Sequence, residues 1–479
     1  INHRHTLAPG MHLLTGCGGA GSAAPTSAET PTTPVTPTPP PATTTCTGNQ
    51  LINVIAAVDN GQSIAGSGPE LAIDDNLDPA SRWDSPGDSV SITLDLGARH
   101  LVREVGIAWF EGDQRTALFS ILASEDGVNF ESLLADQQSS GKTRNFERYD
   151  TPDTPARYLR IENFGNSLNS DNAIIEGTAF GCTLDSQTAP FEQANITASD
   201  FSLDPAQPPG TNFELISWKL NTPADIDGNG ISDTASETDL DGGFTDDYFY
   251  TGPEGGMVFK STIDGAKTSA NTRYTRSELR EMLRRGNTRI STRGVNQNNW
   301  ILGYQPDPGV PVGGRSGVLR ATLAVNHVTE TGDRNQVGRV IIGQIHAEND
   351  EPLRLYYRKF PENERGFVYL AHEIRDSDDI YFPVLGPENS SLGNAPSDDS
   401  NPSNGIALDE IFSYEIIQDD ARIDVIIRRG DGTGPIIGHN YVDMREQNSG
   451  YDVPHEWMYF KAGAYSQNST GEGADYDQV

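Results

Sequence analysis

At 479 residues the chain is too long for one ordinary core and calls for two or three domains. Its 35% apolar content, 49 Gly and 30 Pro favour short strands and many turns, and no apolar run reaches the roughly 18 residues that a membrane-spanning helix needs. A formal charge of −34 argues against nucleic acid as a partner and admits a polyanionic ligand only where local Arg and Lys outweigh the field of the whole.

Residues 1–21 read as the remainder of an export leader. Leu14-Thr15-Gly16-Cys17 resembles the lipobox of bacterial lipoproteins, which makes Cys17 the expected lipidation site; the other reading is a stray cysteine in a disordered leader. The chain opens on Ile1, and Pro9 and Gly10 interrupt the apolar region, so the leader is expected to be truncated. Residues 22–45 are almost wholly Pro, Thr, Ala and Ser, a composition that buries no core and forms an extended spacer.

Residues 46–182 read as an all-β unit. Ile92, Leu94 and Leu96 alternate with polar neighbours, as do Val105, Ile107 and Trp109, and Leu159 and Ile161. Ser85-Pro86-Gly87-Asp88, Glu125-Asp126-Gly127 and Asn163-Phe164-Gly165-Asn166 supply turns between them, the spacing of a sandwich. Cys46 and Cys182 flank this unit and could bridge its ends, which requires an oxidising compartment. A second linker covers 183–190. From 191 to 479 strands are expected at Val318–Val325, Val337–Gln344, Leu353–Tyr357 and Ile423–Ile427. Ser277–Arg285 has helix-like spacing at Leu279, Met282 and Leu283, but its Thr-rich flank assigns it to a strand.

Three stretches carry chemistry. A strand turns alternate side chains to one face, so Arg276, Glu278 and Arg280 share a face, as do Gln344 and His346, and as do Tyr459, Lys461 and Tyr465. If the three strands are neighbours, one surface carries cations, an amide, an imidazole and a phenol. That set suits removal of a proton beside a sugar carboxylate. The C5 hydrogen of a uronate becomes acidic only when the carboxylate charge is neutralised; a base then takes the proton, and an acid protonates the oxygen departing from C4. Taken singly, Arg-x-Glu-x-Arg is an ion-pair ladder, Gln-x-His is a pair of exposed polar positions, and a strand-end Tyr packs.

In that order, Tyr274–Met282, Gln344-Ile345-His346 and Tyr459–Tyr465 look like the three signature regions of polysaccharide lyase family 7, the alginate lyases. Asn212–Pro223, Leu355–Lys359 and Tyr369–Glu373 also resemble family segments. The resemblance implies a β-jelly roll over 191–479 with its cleft on one sheet. It implies Arg276 and Gln344 as neutralisers of the carboxylate, Tyr465 as the acid, and His346 or Tyr465 as the base, depending on the face that presents the hydrogen. Arg280 and Lys461 are expected to bind neighbouring uronates beside Tyr459. Glu278 is expected to hold the two arginines, and His372 to be structural. Ile345, between Gln344 and His346, points to acceptance of guluronate-containing blocks. No cofactor is expected for catalysis.

Asp225–Asp233 has oxygen ligands at alternate positions and resembles a calcium loop, although Ser236 stands where a bidentate acid belongs; a solvated acidic turn is the other reading. Ala72–Asp78, Ser81-Arg82-Trp83, Ser124–Gly127 and Ala156–Ile161 make residues 46–182 similar to the discoidin-like, factor-5/8 C-type sandwiches used as carbohydrate-binding modules of family 32. That resemblance implies a bridge between Cys46 and Cys182 and one structural calcium, with Asp75, Asp78 and Glu176 as candidate ligands. Arg115 and Asn169 are candidate sugar contacts; Trp109 is either a third or a core residue. The reading is thus an all-β chain of two sandwiches: an exported bacterial alginate lyase, secreted or anchored to the outer membrane only through lipid, and monomeric. Two alternatives are a non-catalytic polyuronate-binding lectin and a jelly-roll glycoside hydrolase using Glu278 and Glu410.

Overall fold

The computed structural model describes residues 46, 48–60, 63–87, 89–184, 201–302, 309–386, 401–402, 405–432, 434 and 436–479. Cys17, the Pro/Thr-rich spacer and residues 185–190 of the second linker lie outside the described residues. Two sets of sheets account for most of the rest.

The first is an eight-stranded antiparallel sheet between Gln50 and Thr183. Its longest members, Val90–Trp109 and Phe146–Asn166, pair along most of their length. Val90–Trp109 serves both layers. Ile92 to Asp95 pair with Ala56–Asp59, and after a register shift His100 to Trp109 pair with Asp171–Thr183. Strands that bend in this way close a sandwich at its corners. Inside lie Trp83, Ile92, Leu94, Val105, Ile107, Trp109, Phe119, Leu159 and Ile161, the alternating positions the sequence marks. A disulfide joins Cys46 to Cys182, with Cα atoms 6.0 Å apart.

The second set is a two-layer sandwich. Its front is a nine-stranded sheet with strand order Thr234–Ala235, Trp218–Asn221, Arg276–Glu281, Tyr459–Ser466, Arg339–His346, Leu353–Arg358, Arg365–Glu373 and Asp379–Leu385; Ile406–Ala407 pairs off this path with Arg365–Glu373. Its back is the four-stranded sheet Gly317–Leu323, Phe412–Asp419, Arg422–Arg429 and Ile436–Asp443. Val340, Ile342, Ile345, Leu355, Tyr357, Phe460 and Ala464 from the front meet Leu319, Tyr414, Ile416, Ile423, Val425 and Ile427 from the back. This core fixes which face of each front strand remains for chemistry. The strand expected over Ser277–Arg285 runs only from Arg276 to Glu281. The Leu279, Met282, Leu283 spacing arises because the chain turns after Glu281, with the Arg285 amide donating to the Met282 carbonyl at 3.0 Å.

Candidate active site

The three polar stretches are adjacent strands. Arg276 pairs with Tyr465, Glu278 with Gly463 and Arg280 with Lys461; on the other side of the same strand, Lys461 pairs with Gln344 and Tyr459 with His346. The register slips once between Ile341 and Gly343. Ile341 lies opposite Tyr465 on the cleft face, clustered with Tyr356 and Tyr369. Ile342 and Gly343 then both turn to the core: Ile342 belongs to it, and a Cβ on Gly343 would come within 2.7 Å of the Tyr414 hydroxyl. This bulge restores Gln344 and His346 to the side that carries Tyr465. Without it, residues 341 and 344 would face opposite ways.

Glu278 is the centre of the array. It is 1% exposed and receives Arg276 Nη1 at 3.1 Å, the Lys461 ammonium and the Gln344 amide. Burial pushes its carboxyl up, but the Lys461 and Arg276 charges outweigh burial and hold it below the ordinary range. It therefore stays ionised and is no proton donor. Two cations against one carboxylate leave one positive charge to spare, facing a cleft in a protein of charge −34. Arg280 departs from expectation. Glu278 does not hold it; its guanidinium donates to the Thr292 carbonyl and lies 4.0 Å over the Tyr459 ring. Arg280 sits a full turn of the strand's pleat beyond Glu278, where Tyr459 offers it a π face.

The His346 ring stacks on Tyr459, 5.0 Å between centroids and 13° between planes. Its Nδ1 lies 2.7 Å from the Ala347 carbonyl, which can only accept, so the proton resides on Nδ1 and Nε2 keeps its lone pair. Burial, with Lys461 next, depresses the imidazole to about 3, so it is neutral at working pH. Glu351 Oε1 stands 3.3 Å from Nε2, placed to stabilise the ring once it takes up a proton. Sequence reasoning missed Glu351. It lies in the hairpin return between Arg339–His346 and Leu353–Arg358, and the Asn349–Pro352 turn was the available signal. Arg276 covers the Tyr465 ring at 3.6 Å from its centroid. Burial raises the Tyr465 phenol above its usual value, with Arg276 drawing it back, so it carries its proton. Tyr459 is 8% exposed between His346 and Arg280, so it positions rather than grips.

The other candidates lie outside this array. His372 is fully buried between the Pro352 carbonyl and the Ser449 hydroxyl. Glu410 is held by Arg429 and Arg365 and by the Ala407 amide, and it shares none of the hydrogen-bond or ion-pair partners of Glu278. Trp109 is core, 2% exposed, with its indole donating to the Tyr149 hydroxyl at 2.8 Å. Arg115 is buried against the Phe110 ring, and Asn169 closes a turn with Asn166. In the acidic loop the Asp225, Asp227 and Asp233 carboxylates accept amides of Gly230, Asn229 and Ile226.

For a cation in the first sandwich the fit is partial. Asp75 and Glu176 line one cavity; Asp78 does not, its carboxylate capping the Ala80 amide at 2.8 Å. Among the described residues no group of three or more His, Cys, Asp or Glu converges. Yet Glu176 Oε2 is buried and without a hydrogen-bond partner, and burial with Asp75 and Asp74 raises its carboxyl to about 9. Such a carboxyl suits a hard cation whose shell backbone carbonyls complete.

The alginate lyase family profile matches residues 213–479, and the F5/8 type C domain profile matches residues 55–176. An alginate lyase from Klebsiella pneumoniae is 48% identical over 275 residues, 57% of this chain and 88% of that protein. The crystal structure of the alginate lyase from Klebsiella pneumoniae aligns at TM-score 0.53 and 48% identity, over 57% of this chain and 95% of its own. A structure of CBM32 of AlyQ in complex with 4,5-unsaturated mannuronic acid is 38% identical, over 27% of this chain and 97% of its own, at TM-score 0.26.

Proposed function

The chain belongs to the alginate lyase family, and from that premise we propose how its cleft residues divide the work of elimination and which blocks of the polymer they accept. Arg276 and the second N–H of Gln344 meet the C6 carboxylate, with Lys461 adding charge from behind through Glu278. As C5 loses its proton, negative charge moves onto that carboxylate, where the positive surplus is greatest. His346 Nε2 takes the C5 proton and passes into the field of Glu351. Tyr465 delivers its phenolic proton to the glycosidic oxygen as the C4–O bond breaks and the C4–C5 double bond forms. Where the hydrogen lies on the phenol's side, Tyr465 first yields its own proton to His346 Nε2, and the phenolate then takes the C5 proton and passes it to the departing glycosidic oxygen. The observation that carries this division is the Nδ1–Ala347 contact, which fixes the proton on Nδ1 and leaves Nε2 of a neutral ring to take up another.

Guluronate-containing blocks are the favoured substrate, on the evidence of Ile345. Its side chain is fully buried on the core side of the strand, so it acts by setting the height of Gln344 and His346 in the cleft. The discoidin-like module holds calcium through Asp75 and Glu176 and raises the local concentration of polymer. Export follows from the Leu14–Cys17 motif and is consistent with the disulfide. The test mixes the full chain with polyguluronate and polymannuronate and follows ultraviolet absorbance of unsaturated ends. A faster initial rate on polyguluronate, reduced in Ile345→Val, supports the block preference; equal rates remove it. Reducing ends without absorbance would mean hydrolysis, and binding without either product would mean a lectin.

A further inference from the structure

A row of side chains crosses the front sheet from strand to strand. Lys219 pairs with Arg280, Arg280 with Lys461, Lys461 with Gln344 and Gln344 with Arg354. Partners in a ladder turn to one face, and neighbouring strands lie roughly 4.8 Å apart, so the row spans about 19 Å of the cleft floor. Leu220 and Leu279, the chain neighbours of Lys219 and Arg280, enter the core, which leaves the two cations on the cleft side.

Three members of the row already have anions or bonds to one. Lys461 and Gln344 hold Glu278, and Arg354 holds Asp379 and, at 3.7 Å, Glu373. Among the described residues no carboxylate lies within ion-pair distance of Lys219 or Arg280. The acids nearby are committed elsewhere. Glu237 accepts from Arg284 with both oxygens, at 2.6 and 3.2 Å. Glu281, next along the strand from Arg280, accepts from the Trp300 indole and the Phe460 amide, each at 3.1 Å. Lys219 thus shares this corner with Arg280, Arg284 and Arg293, four cations against the one carboxylate of Glu237. Arg280 is fixed on the Tyr459 ring and the Thr292 carbonyl, yet its Nε–H is buried without an acceptor. Burial, and after it the Arg280 charge, lowers the Lys219 ammonium from its ordinary value. Two adjacent cations half withdrawn from water repel one another, and an anion from outside relieves that cost.

We propose that Lys219 is a substrate-binding residue: with Arg280 it holds one carboxylate, that of a uronate flanking the sugar that Arg276 and Gln344 engage. The inference rests on the elimination reading of the front cleft and adds to it an anchor two strands from Gln344. A carboxylate held there lies away from the reacting C4 and C5, so the pair acts on affinity for the polymer rather than on the chemical step.

Initial rates of the full chain on alginate, read by the absorbance of unsaturated ends, test this. Lys219→Met is expected to raise KM about 10-fold and to lower kcat by less than about threefold, and Lys219→Arg to keep KM within about threefold of wild type. Because the two cations share one carboxylate, the KM of Lys219→Met combined with Arg280→Met should depart by more than about threefold from the product of the single effects. Effects that simply multiply overturn the shared carboxylate. Loss of one of two repelling cations should leave the melting temperature of the free enzyme unchanged or higher. A lowered melting temperature with KM unmoved overturns the binding role and makes the lysine structural. Wild type that yields no unsaturated ends removes the elimination reading itself; wild type that yields them, with KM unmoved in Lys219→Met, overturns this subsite alone.

Discussion

Buried carboxylates persist only with partners, and Glu278 has three, each of which it aims in turn at the cleft. Glu278→Gln is expected to leave Arg276 and Lys461 facing one another without the anion that unites them. Stability should fall by about 3 kcal/mol in denaturant titration and turnover by more than about 100-fold. Tyr465→Phe keeps the ring beneath Arg276 and removes only the proton. Turnover should fall by at least about 1000-fold with alginate affinity nearly intact, read by calorimetry; full activity would remove the phenol from the mechanism. The pH profile has a definite sign. Burial, with Arg276 next, lowers the Lys461 ammonium to about 8, so its charge is present below that pH and lost as pH rises through it. Activity should decline above about pH 8, and Lys461→Arg should carry that limb upward, because guanidinium does not titrate there. His346 already lacks a second proton far below neutrality, so no acid limb near pH 6 is expected from it.

At the scale of the strand, the bulge in Arg339–His346 decides whether the cleft exists. Two successive residues face the core, and the second is tolerable only as glycine, with the Tyr414 hydroxyl donating to the Ile342 carbonyl at 2.9 Å nearby. Gly343→Ala is expected to destabilise the fold by roughly 1–3 kcal/mol and to lower turnover by displacing Gln344 and His346. Tyr414→Phe in that background, which removes the atom nearest the new Cβ, should recover part of the stability. If the single variant unfolds and turns over like wild type, the bulge has room the structure does not show.

For the molecule as a whole, the Cys46–Cys182 disulfide closes a loop of sequence separation 136. A crosslink of that span restrains the unfolded chain strongly, and its reduction should destabilise the module by about 2–5 kcal/mol, seen as a lower melting temperature in dithiothreitol. The charge of −34 is compatible with a polyanionic substrate only because Arg276, Arg280 and Lys461 collect on one sheet. Salt that screens the distant carboxylates therefore aids docking more than it weakens the cleft.

The order of polar residues along three strands already determined much of this protein. Period-two alternation put Arg276, Gln344, His346 and Tyr465 on strand faces, and the chemistry of a uronate told what such a face could do. Alternation also marked the core of the first sandwich and the burial of Trp109. What the sequence could not display was any relation that depends on which strand lies beside which. Glu278 reaches Lys461 and Gln344 rather than Arg280 because hydrogen-bonded register, not spacing along one strand, sets those distances. Glu351 meets His346 through a hairpin return. Lys219 looks like an ordinary surface lysine until Arg280 is seen beside it on the next strand. Local periodicity encodes the side to which a residue turns; only the packed structure supplies what it finds there.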